Sequence, residues 1–138
     1  MAKGTEIVKK FFQALNARNK VRVLHTSISR NVFEYSGENK VYLYVKGRAE
    51  EPYRWGVTAN VIKRLRSESK PWVVILLFDT HEKGYLLTSS DTDRYTKDVW
   101  PLGADGDYKP ATGSYLANNS PLYSLDSIVN EIESINVV

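Results

Sequence analysis

Lys46 closes the alternating run of KVYLYVKGRAEEPYRWG (residues 40–56), a stretch in which cations and aromatic rings are interleaved. Tyr42, Tyr44, Tyr53 and Trp55 alternate with Lys46, Arg48 and Arg54, and Lys63, Arg64 and Arg66 follow shortly afterwards. Rings that stack on bases and cations that meet phosphates are the means by which single-stranded nucleic acid is held. Duplex DNA would draw mainly on the cations. The same residues also suit a packing role, with Tyr42 and Tyr44 beneath a helix and Trp55 at the point where that helix begins. Lys46 itself fits three roles: catalytic group, phosphate contact, or solvated strand end.

Other site chemistries find less support. The chain has no cysteine, which excludes disulfides, zinc-thiolate sites and thiol catalysis. His25 and His81 are the only histidines and lie far apart in sequence, a poor basis for a histidine metal site. Neither a GxxxxGK[ST] phosphate loop nor a GxGxxG turn occurs, and no nucleophile-elbow motif accompanies the histidines. Asp105-Gly106-Asp107 lacks the oxygen-ligand run and closing glutamate of a calcium loop.

Hydrophobic periodicity supplies the elements that must carry these residues. Ile7, Val8, Phe11, Phe12 and Leu15 predict a first helix capped by Thr5. Short strands are expected over 21–28 and 31–35. Residues 40–48 alternate, with Val41, Leu43 and Val45 on one face and Tyr42, Tyr44 and Lys46 on the other. A helix follows from about Val57, with Val57, Val61, Ile62 and Leu65 on one side and Lys63, Arg64 and Arg66 opposite. PWVVILLF (71–78) reads as an internal strand buried on both faces, and 72–89 as a hairpin. Residues 91–100 suggest one or two helical turns. Residues 101–121 are rich in turn formers; loops of that length are more often functional or partner-facing than idle, and Tyr108, Lys109 and Tyr115 suit a recognition loop, but a structural loop is the preferred reading of this segment. Ser124 caps a last helix bearing Ile128, Ile132 and Ile135. The expected fold is a single α/β domain over 1–138, a mixed central sheet flanked by helices.

That order, with a lysine ending the third strand, resembles the PD-(D/E)XK restriction-endonuclease-like superfamily over roughly residues 5–89. The resemblance implies an acid on one strand and Glu-x-Lys or Asp-x-Lys ending the next. The acids would hold magnesium while the lysine steadies the attacking water or the scissile phosphate. Lys46 matches the lysine, and Glu34 on the preceding strand is the candidate catalytic acid and metal ligand, with Glu38 second. Tyr44 stands where the family has its second acid, and a phenol is a poor ligand for magnesium. The resemblance therefore implies a nucleic-acid-binding relative, DNA foremost, with an incomplete catalytic site. In the alternative, an active magnesium-dependent nuclease, the missing acid comes from Glu6, Glu50 or Glu51. A protein-interaction domain using the 101–121 loop is the third reading. Magnesium is the one cofactor considered, and only if the chain is catalytic.

Charge is distributed unevenly. Residues 1–70 hold fifteen Lys/Arg against six Asp/Glu, and residues 71–138 hold four against ten. Such asymmetry hints at an anionic partner, although interleaving the halves in one sheet would mix the charges. No apolar run is long enough to span a bilayer and the first ten residues lack a signal-type apolar core, so a cytoplasmic chain is expected. A homodimer is left open.

Overall fold

A computed structural model of the chain describes residues 3–135. Helix α1 (Lys3–Asn16) buries Ile7, Val8, Phe11 and Leu15, the three- and four-residue spacing of one helical face. It is already running at Lys3, so Thr5 lies inside the first turn and does not cap it. At the other end the Asn16 amide donates to the Val23 carbonyl (3.0 Å) and accepts from the Val23 N–H (2.7 Å). That two-way bond, after a left-handed turn at Lys20 (φ 64°), fixes where β1 (Arg22–His25) starts. The strand is shorter than the 21–28 expected from sequence, because the Thr26 hydroxyl donates to the Val32 carbonyl (2.8 Å) and turns the chain.

Strands β1, β2 (Val32–Ser36) and β3 (Lys40–Arg48) form an antiparallel meander. A two-residue strand β4 (Val57–Thr58) and helix α2 (Ala59–Ser67) lead to β5 (Trp72–Phe78), which pairs parallel to β3. Strand β6 (Gly84–Thr88) returns antiparallel, giving the order β1-β2-β3-β5-β6. Helix α3 (Ser89–Asp98), strand β7 (Asp107–Tyr108), a 3₁₀ turn at Ser114–Leu116 and helix α4 (Leu125–Glu133) complete the mixed α/β arrangement. The second helix begins two residues later than periodicity suggests because Val57 and Thr58 pair with Tyr108 and Asp107 of β7.

The period-two alternation of the strands divides the core into two layers. Val41, Leu43 and Val45 of β3, with Val73, Ile75 and Leu77 of β5, meet apolar residues of α1 and α4. Tyr42, Tyr44, Val74 and Leu76 meet Ile62 and Leu65 of α2, Tyr95 of α3 and Trp100. Strand β5 is covered on both sides and flanked by β3 and β6, the arrangement its unbroken apolar sequence demands.

The helix ends follow local chemistry. Thr88 and Asp91 form a capping box that extends 91–100 into the ten-residue α3. The Ser124 Oγ accepts the Ser127 N–H (3.1 Å) at the start of α4. Segment 101–121 is held down by its flanks. The Trp100 indole stacks on Tyr95 (5.3 Å, 4° between planes), donates to the Tyr115 carbonyl (2.8 Å), and Leu116 is buried. Among the described residues no helix is long and apolar enough to cross a membrane.

Candidate nucleic-acid interface

Of the aromatic members of the 42–55 stretch, Tyr42, Tyr44 and Trp55 are core residues and Tyr53 is half-buried against them. Tyr44 is 1% exposed, and its Oη accepts the backbone N–H of Thr58 (3.0 Å) just before α2. Burial pushes its phenol above the ordinary value, and the bond from Thr58 pulls it partly back. Trp55 is buried with its indole N–H donating to the Leu77 carbonyl (2.9 Å). Tyr42 lies under Lys70, whose Nζ is 5.1 Å from the ring centroid. The expectation that Tyr42, Tyr44 and Trp55 stack on bases is therefore corrected: all three rings fill the layer beneath α2, leaving no open face. The alternation rule had placed Tyr42 and Tyr44 on the face opposite Val41 and Leu43, but that face is covered too.

The expected partnership of Glu34 with Lys46 is also corrected. Glu34 pairs in register with Tyr42, four residues before Lys46 on β3. At the usual strand rise that is about 13 Å along the sheet. The Glu34 carboxylate instead forms an ion pair with Lys70. Among the described residues no three acidic or histidine side chains converge on a common point. The residues around Lys46 thus do not fit a magnesium site: position 44 offers a buried phenol committed to Thr58, and the nearest predicted acid is occupied elsewhere.

The cations predicted on α2 have separate fates. Arg66 donates through Nε (2.9 Å) and a terminal nitrogen (2.7 Å) to Asp93 of α3, and Arg64 pairs with Glu68 (3.0 Å). Lys63 is exposed without an ion pair among the described residues. Arg54 is exposed where the chain bridges to Ala111. Arg48 lines a hollow of about 440 Å³ whose rim carries the Lys3–Glu50 ion pair (2.9 Å).

Lys46 lines a different groove, of about 480 Å³, between α1 and the β1–β2 turn. Lys9 and Arg30 line it as well, and none of its lining residues is a carboxylate. One wall is a three-ring cluster: His25 stacks on Phe12 (4.6 Å, 28°), and Phe33 packs against both (5.0 and 5.3 Å). The groove ends where α1 presses on β3. A Cβ on Gly47 would sit 2.6 Å from the Gly4 carbonyl oxygen, so only glycine allows this approach. Asn31 holds the turn in place, donating from its side chain to the Val45 carbonyl (3.0 Å) while its own carbonyl accepts the Val45 N–H (2.9 Å).

Electrostatically the groove is one-sided. Burial pushes the half-buried Lys46 ammonium below its ordinary value; Asp107 pulls it partly back and Arg30 pushes it further down. Lys46 has no ion pair among the described residues; its strand position shares the face of Tyr44 and Leu76, opposite α1, and Asp107 attracts it, so it stands at the end of the groove as a partly desolvated cation with an acid in its field. From sequence, Lys46 is a candidate site residue but beside Glu34 rather than near α1, and none of Lys9, Arg30, His25 and Phe12 is a candidate. The available signal was that His25 shares a strand face with Val23, the face that α1 covers.

Comparison with family models, with curated proteins and with solved structures gives no match.

Proposed function

We propose that the chain binds nucleic acid, DNA foremost, through the groove that Lys46 lines, on a restriction-endonuclease-like fold that lacks a working metal site. The observation that carries this reading is a groove with three cations, an aromatic wall and no carboxylate. Phosphates need cations that are not already neutralised, and Lys9, Arg30 and Lys46 qualify where Arg64 and Arg66 do not. The fold assignment is supported by the order helix, three-strand meander, helix and parallel strand, with Lys46 near the end of the third strand. Lys46 acts as a phosphate contact, because position 44 offers a phenol rather than a carboxylate and Glu34, paired with Lys70, lies well along the sheet from it.

Fluorescence anisotropy with labelled DNA at low salt, with and without magnesium, tests the reading. Binding should occur without magnesium and leave the DNA uncut. Arg30→Ala should weaken it about tenfold, and Arg66→Ala, already paired with Asp93, about twofold at most. Equal losses in both variants would move the interface to α2, and magnesium-dependent cutting lost in Lys46→Ala would restore the nuclease reading.

A further inference from the structure

The shape of the groove bears on which nucleic acid it takes. Proteins that read duplex DNA present a convex element, a helix or a two-stranded ribbon, to the groove of the duplex. Here the cations Lys9, Arg30 and Lys46 line a concavity between α1 and the β1–β2 turn. Its volume of about 480 Å³ falls within the range of small-ligand sites, roughly 300–1,000 Å³. A stiff duplex cannot bring a nucleotide into such a recess while its bases stay paired, whereas a single strand can turn one nucleotide in.

The wall supplies what that nucleotide needs. His25 is exposed and lies flat on Phe12, so its ring forms the outer layer of an aromatic stack. A base placed on His25 would continue that stack, with Phe12 and Phe33 as backing. Gln13, on the same face of α1 as Lys9, offers an amide donor and acceptor to the base edge. Thus the ring wall and the cations are arranged for one unpaired nucleotide together with its phosphates.

We infer that the groove is selective for single-stranded nucleic acid, holding one splayed nucleotide with its base on His25 and its phosphates at Lys9, Arg30 and Lys46. This rests on the nucleic-acid reading above and specifies its substrate class.

The test compares a labelled oligothymidylate with a labelled hairpin duplex, using the full chain, with thymidine monophosphate as competitor. The single strand should bind at least about tenfold tighter than the duplex. His25→Ala should weaken single-strand binding about tenfold, as expected for loss of one base stack, and leave the duplex unchanged. His25→Gln should show the same loss, and circular dichroism should confirm that both exposed-site variants stay folded. Equal affinity for strand and duplex, or equal loss of both in His25→Ala, would overturn the single-strand inference while leaving the basic groove in place. Displacement by the mononucleotide at concentrations equal to the oligonucleotide would overturn it in favour of a free nucleotide. Binding of neither nucleic acid at low salt would overturn the nucleic-acid reading itself.

Discussion

Two residues on one strand show how the same sequence motif can be read for structure and for function. Tyr44 stands where the restriction-endonuclease-like reading expects an acid, and its hydroxyl accepts the Thr58 N–H at the start of α2. The Thr58 side chain makes no capping bond, and the Tyr44 hydroxyl satisfies the N–H of this N-cap residue itself. Tyr44→Phe should therefore cost about 1–2 kcal/mol in chemical denaturation, the usual penalty for orphaning a buried partner. Lys46, two residues on, is held in an environment that disfavours its charge. Lys46→Met should be neutral or stabilising by up to about 1 kcal/mol at pH 7, while weakening nucleic-acid binding. The pH dependence follows from the direction of the shift. Since the folded-state value lies below the unfolded one, the unfolded chain binds more protons between them, and wild-type stability gains with rising pH in that alkaline window. Below the window the penalty is fully present, so the difference between wild type and Lys46→Met should shrink as pH rises through it. A difference constant from neutral to alkaline pH would contradict that account.

At the scale of elements, much was legible in the sequence because buried strands and amphipathic helices leave strong periodic signals. WVVILLF read as an internal strand buried on both faces, and Leu76 is indeed fully buried between β3 and β6. Leu76→Ala should cost about 2–5 kcal/mol by thermal or denaturant unfolding. What was not legible depended on contacts distant in sequence. Tyr42 and Trp55 look the same in sequence whether they face a helix or a ligand, and only the placement of α2 and Trp100 decides between them. The pairing of β4 with β7, which delays α2 to Ala59, has no local signature. Glu34 was misplaced for a related reason: strand register determines its neighbour, and register followed from the tight turn between β2 and β3. The contact of α1 with β3 carries its own prediction. Gly47→Ala would press a methyl against the Gly4 carbonyl and should destabilise by about 1–3 kcal/mol, read by denaturant titration.

Over the whole molecule, the charge asymmetry of the sequence is only partly dispersed by folding. Among the described residues two ion pairs, Arg18–Asp126 and Arg66–Asp93, join the basic first half to the acidic second half. The acids of the second half lie on α3, in the 105–107 turn, on α4 and in the β5–β6 turn, none of which lines the Lys46 groove. The groove is formed by residues of the basic half alone, from Gly4 to Gly47, so a local excess of positive charge survives there. This also explains why the site was only half visible beforehand: its cations come from a helix, a turn and a strand that the sequence separates. The measurement that bears most directly on the central claim is the salt dependence of single-strand binding. With the two phosphates that flank the splayed nucleotide met by Lys9, Arg30 and Lys46, the logarithm of affinity should fall against the logarithm of salt concentration with a slope of about −1.4, from counterion release on a single strand. In the combined Lys9→Ala, Arg30→Ala, Lys46→Met variant that slope should approach zero with the fold intact. Affinity that is insensitive to salt, or a slope unchanged in the triple variant, would contradict the claim that this groove binds nucleic acid.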